Sequence, residues 1–192
     1  MRKCIISDNS FFLLALQDDE VIRRGNVAAI HSTQLKSQCY LRTSVSDIFV
    51  VYISDIAERH RILSLIASLC SHCRIVLLYK MESSPGCVYQ GPFPWLISEK
   101  IGFSDLYLCL YEASKSIFDR RDFSEQELIV FRYLCEGYSV SQINKLAGLS
   151  EKHIYYLRQK TKRMFGLRGN NAATMSFYLD ISKLVTLFLI SR

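Results

Sequence analysis

Along the first 118 positions, short dense apolar runs alternate with segments in which apolar residues recur every three or four places. Cys4 to Ile6, Asp47 to Ile53, Arg74 to Tyr79 and Pro94 to Ile97 are compact β-branched or aromatic runs, as strands buried on both faces require. Asn26 to Ile30 is a weaker fifth. Between them, Ile62, Leu65, Ile66 and Leu69 follow the spacing of a helix with one buried face, and Leu106, Leu110, Ala113 and Ile117 repeat it. Strand and helix in alternation predict an α/β unit, a parallel sheet with flanking helices. The stretch Met81–Pro94, with its Ser-Ser-Pro-Gly and Gly-Pro-Phe-Pro, reads as loop where such folds often carry a helix.

At Asp119-Arg-Arg-Asp122 the pattern breaks into consecutive charge, and from 123 onward only helical periodicity remains. The reading is therefore two units, 1–118 and 123–192, joined by 119–122. In the second unit, Ser124 with Glu127 three places on is a capping box. It opens a helix whose Val130, Phe131 and Leu134 face a core and whose end is marked by Gly137. Ser139 opens a short helix carrying Ile143 and Ala147, and Gly148 permits a tight turn. Ser150 then caps a third helix that buries Ile154, Leu157, Thr161 and Phe165 until Gly166 stops it.

Charge singles out that third helix. The net +6 is not spread evenly: residues 1–119 hold twelve basic and twelve acidic side chains, whereas 120–192 hold twelve basic and six acidic. Lys152, Arg158, Lys160, Lys162, Arg163 and Arg168 face only Glu151, the footprint of a polyanion partner. Three short helices, a glycine turn and a basic third helix match the geometry in which that helix enters the major groove of double-stranded DNA. The groove-side set is Lys152, Tyr155, Tyr156, Gln159, Lys162 and Arg163. Glutamine pairs with adenine edges, phenols reach bases, sugars or phosphates, and Lys and Arg neutralise phosphates.

The segment 123–168 resembles the DNA-binding domain of LuxR/FixJ/NarL-type regulators, without a gap, at Ser124, Glu127, Glu136-Gly137, Ser139, Ile143, Gly148-Leu-Ser150, Lys152, Ile154, Arg158 and Gly166. The resemblance implies a four-helix, all-α helix-turn-helix domain. Tyr155, Tyr156 and Gln159 then face bases, and Lys152, Arg158, Lys162 and Arg163 lie near phosphates. It also implies a fourth helix, beginning near Asn171 and carrying Phe177, Leu179 and Leu184, that commonly supports dimerisation. Four positions depart from the family pattern: Asn144 stands for alanine, Ala147 for leucine, His153 for threonine and Leu157 for histidine.

Joined to such a domain, the N-terminal unit resembles the receiver of two-component response regulators, in degenerate form. A working receiver needs an acid pair after the first strand, an aspartate ending the third, a hydroxyl after the fourth and a lysine after the fifth. Asp8-Asn9 keeps half of the pair. Tyr52 takes the acceptor place, with Asp55 three residues late; Tyr79 takes the hydroxyl place, and Ser98 that of the lysine, with Lys100 two away. A phenol cannot form an aspartyl phosphate, so phosphorylation at Tyr52 is not expected. The unit is expected instead to dimerise or to contact another regulator.

The remaining features narrow the class. With 49% apolar and 22% charged residues the chain is not of disordered composition. Seven cysteines, an odd number set mostly in apolar runs, fit a reduced cytoplasm; Cys70-Ser-His-Cys73 has a metal-like spacing, but no second pair follows at a finger spacing. No leader or membrane span is expected, because Phe11 to Leu16 and Leu184 to Ile190 are too short. A glycine-rich phosphate loop, a nucleophile elbow and a His/carboxylate cluster are all missing, so neither an enzyme nor a metal or cofactor protein is expected. The sequence thus reads as a bacterial, cytoplasmic transcription regulator binding DNA as a homodimer or as a heterodimer with a related regulator. The competing reading is an auxiliary protein that acts on another transcription factor without touching DNA.

Overall fold

The computed structural model describes residues 1–35, 47–69, 73–79, 93–117, 123–165, 167 and 174–182. The expectations for Met81–Pro94 before Phe93, for Cys70 to His72, for the joint at 119–122, and for Gly166, Arg168, Asn171 and Leu184 lie outside those residues.

The five apolar runs are strands: β1 (Lys3–Ser7), β2 (Val27–His31), β3 (Ile48–Tyr52), β4 (Arg74–Tyr79) and β5 (Trp95–Ser98). They form one parallel sheet in the order β2-β1-β3-β4-β5, with Ser7 level with Tyr52 and Tyr79 level with Ser98. Helices α1 (Ser10–Asp18) and α2 (Glu20–Arg24) link β1 to β2, α3 (Ile56–Leu69) links β3 to β4, and α4 (Phe103–Lys115) follows β5. This is the receiver-like α/β arrangement.

Because successive strand residues point to opposite faces, the sheet builds two cores. Ile5, Ile48, Val50, Val76 and Leu78 meet Leu13, Leu16, Ile22, Leu106, Cys109 and Leu110 of α1, α2 and α4. Cys4, Ile6, Phe49, Val51, Ile75 and Leu77 meet Ile62, Leu63 and Ile66 of α3. Asp47, buried at the entry to β3, accepts from Arg2 Nη2 at 2.9 Å. One expectation fails at the end of this unit. Helix α4 stops at Lys115, and Ile117 is 90% exposed beyond it, since Ser116 is already extended.

The second unit contains α5 (Glu125–Cys135), α6 (Val140–Ala147), α7 (Glu151–Met164) and a helix α8 at 174–182. It does not form a separate core. Phe131, Tyr178 and Phe177 belong to the same apolar cluster as the α3 face of the sheet, and the Phe177 ring stands edge-on to Tyr79 at 6.4 Å. Helix α8 therefore lies beside α3, over β4. No residue of 174–182 is fully open to solvent, so in this arrangement the helix expected to dimerise is an inter-unit element.

Candidate nucleic acid interface

Each end of the three-helix array is set by a local hydrogen bond. Ser124 Oγ accepts from the Glu127 N–H at 3.2 Å and Glu127 Oε2 accepts from the Ser124 N–H at 2.9 Å, closing the capping box of α5. Glu127 is buried, and its other oxygen lies 3.3 Å from Lys160 Nζ, tying the start of α5 to α7. Ser139 repeats the box with Gln142 at the start of α6. Gly148 ends α6 in the left-handed region at φ 67°, and Ser150 Oγ accepts from the His153 N–H at 3.2 Å to begin α7.

Three departures from the family pattern acquire physical roles. Asn144 Nδ2 donates to the Leu149 carbonyl at 2.7 Å, bracing the turn between α6 and α7. His153 Nε2 lies 3.0 Å from Gln126 Oε1, a link from α7 back to α5. Leu157 is 4% exposed and packs in the core, where an imidazole would need a partner.

Helix α7 divides along its length. Ile154, Leu157 and Thr161 are buried. Lys152, Tyr155, Tyr156, Gln159 and Arg163 are exposed, and at about 100° of rotation per residue they share one face. Tyr155 and Tyr156 are 52% and 58% exposed, far more than tyrosines held only for packing. Arg158 places its guanidinium 5.8 Å from the Tyr155 ring centre.

Two of the seven candidate residues are not on that open face. Lys162 is buried, and burial, then the charge of Arg158, lowers its pKa from the ordinary lysine value. Arg158 is half-buried beside Tyr178 of α8; burial pushes the Tyr178 hydroxyl up to about 12 against the lowering influence of Arg158. Residues 158 and 162 are one turn apart at the margin of the buried stripe, and Tyr178 of α8 lies against Arg158 there.

The carboxyl ends of the strands hold the residues placed by the receiver resemblance, and each is already engaged. Asp8 Oδ2 accepts from the Ser54 and Asp55 N–H groups at 2.9 and 3.3 Å, and Asn9 caps α1. Asp55 Oδ1 accepts from the Glu58 N–H at 2.7 Å at the start of α3. Tyr52 donates to Glu99 Oε2 at 3.2 Å; burial first, then the Glu99 charge, raises its pKa. Ser98 Oγ accepts from the Lys100 N–H at 3.2 Å. Among the described residues, no three His, Cys, Asp or Glu side chains converge as a metal site would need.

Sequence reasoning missed Asp180. This carboxylate on α8 is fully buried and lies 2.8 Å from Arg59 Nε and 2.9 Å from His60 Nε2, and it accepts from the Tyr79 hydroxyl. Burial, then the Asp180 charge, raises the pKa of Tyr79 well above the usual phenol value. The only trace in the sequence is one acid in the apolar run from Phe177 to Ile181.

No family model matches the chain, and no curated protein matches it. Among solved structures it is similar to a complex of two RcsB dimers bound to two parallel DNAs, at 15% identity over 94% of this chain and 98% of that one, with a TM-score of 0.46. It is also similar to RcsB from Salmonella enterica serovar Typhimurium bound to promoter rprA with phosphomimetic BeF3-, at 16% identity over 93% and 98% of the two chains, TM-score 0.42. A third is the response regulator ChrA of a heme-sensing two-component system, at 12% identity over 94% and 98%, TM-score 0.33. No described helix is long and apolar enough to cross a membrane.

Proposed function

We propose that this chain is a sequence-specific, LuxR-type DNA-binding transcription regulator of the bacterial cytoplasm that inserts α7 into the major groove of double-stranded DNA. One observation carries the reading. A helix braced by Ser150, Asn144 and Glu127 presents Lys152, Tyr155, Tyr156, Gln159 and Arg163 to solvent on a single face. Two open tyrosines, a glutamine and flanking cations on one face supply base readout and phosphate contact together. Lys162 is buried and Arg158 half-buried, so the phosphate contacts of this reading fall to Lys152 and Arg163.

The reading is of a regulator that works without an aspartyl phosphate and is not an enzyme. Its support is that Asp8, Asn9 and Asp55 are committed to backbone N–H groups and that Tyr52 stands at the end of β3. The second partner is a like chain, the same or a related regulator.

The test is fluorescence anisotropy with duplexes selected from a random pool, over a salt series. Gln159→Ala should weaken the selected duplex by about 1–3 kcal/mol and spare scrambled DNA. Arg163→Ala should weaken both alike and reduce the salt slope by about one. If neither variant alters binding, α7 is not the reading helix.

A further inference from the structure

We propose that Asp180 is a latch between the two units, and that the latched form is the DNA-reading form of the protein. This rests on the reading of α7 given above.

The hydrogen-bond donors that reach the Asp180 carboxylate among the described residues all come from the N-terminal unit: Arg59 and His60 on α3, and Tyr79 at the end of β4. A buried carboxylate is tolerated only when paired and hydrogen-bonded, so α8 can bury Asp180 against this sheet only in the position where these donors meet it. The socket is held ready. Arg59 Nη1 donates to the Ile53 carbonyl at 2.8 Å, fixing the guanidinium at the junction of β3 and α3, and its charged end lies 5.6 Å from the centre of the Tyr79 ring.

The apolar neighbours Phe177, Tyr178 and Ile181 would tolerate small slips of α8 along the sheet, since hydrophobic contact is non-directional. Three donors on one carboxylate do not tolerate them. The latch therefore sets the orientation of the second unit rather than merely its attachment. In that orientation Lys152, Tyr155, Tyr156, Gln159 and Arg163 are exposed. Docking leaves the reading face of α7 open, which is the opposite of a shut-off contact.

Full-length Tyr79→Phe, which removes one donor and no volume of consequence, and Asp180→Asn, which removes the charge, test this by amide hydrogen exchange and duplex binding. Exchange at 174–182 should rise about tenfold in Tyr79→Phe and further in Asp180→Asn, while amides of α5 keep wild-type rates. Affinity for a random-sequence duplex at low salt should not rise by more than threefold. Unchanged exchange at 174–182 in both variants overturns the latch, and a larger rise in affinity shows that docking shuts the reading face. If wild type itself binds no duplex, the DNA reading fails, and the exchange result still decides the latch.

Discussion

Replacing Gly148 by alanine isolates the backbone cost of the turn that aims α7. Gly148 sits at φ 67°, ψ 18°, and its N–H donates to the Asn144 carbonyl at 3.0 Å. A Cβ there would meet nothing within 4 Å, so no steric clash enters. An L-residue in the left-handed region costs roughly 1–2 kcal/mol, of which alanine recovers part by restricting the unfolded chain. The net is a loss of about 1 kcal/mol, or about 2–4 °C in Tm for a chain of this length. Asparagine tolerates the left-handed region, so Gly148→Asn should cost less. Gly25 is the control. Its φ of −75° suits any residue, but a Cβ there would lie 2.2 Å from the Tyr107 ring. Gly25→Ala should therefore cost about 1–3 kcal/mol by overpacking, and the added Tyr107→Ala change should remove most of that penalty. Urea unfolding should show a lowered midpoint at unchanged slope for each single variant. An alanine at 148 as stable as wild type, or an asparagine as damaging as alanine, would refute the assignment of the cost to the backbone.

Two further outcomes follow from the ionisable groups. Burial pushes the Cys4 thiol up to about 12 and the Cys135 thiol to about 11, so both should resist alkylation at pH 8 in the native protein and react in urea; site-resolved mass spectrometry reads this directly. The hydrogen bonds from Arg61, at 2.7 Å to each oxygen, lower the Glu58 pKa below its ordinary 4.5. A lowered carboxylate pKa stabilises the fold above the unfolded value, and that contribution is lost as pH falls through the folded value. Acid unfolding followed by circular dichroism should show it, and Glu58→Gln should be less stable than wild type at pH 7 but converge with it at low pH.

What the chain's order of residues determined by itself was whatever depends on neighbours three or four places apart. The five strands were readable because β-branched runs of that length bury both faces of a parallel sheet. Helices α5 to α7 were readable because Ser124, Ser139, Gly148 and Ser150 act on backbone groups within the same turn. The open face of α7 followed in part from the same period, which put Lys152, Tyr155, Tyr156, Gln159 and Arg163 together. Tertiary structure decided the rest. Ile117 continues a helical spacing but lies past the last residue of α4. Arg158 and Lys162 have the composition of phosphate contacts, yet the fold half-buries the first beside Tyr178 and buries the second. Asn144 and Leu157 looked like departures and turn out to brace a carbonyl and to fill a core. Asp180 meets partners 101 to 121 residues away in the chain. No periodicity along a sequence records such a meeting, because a buried carboxylate is made tolerable by donors that only the folded chain brings to it.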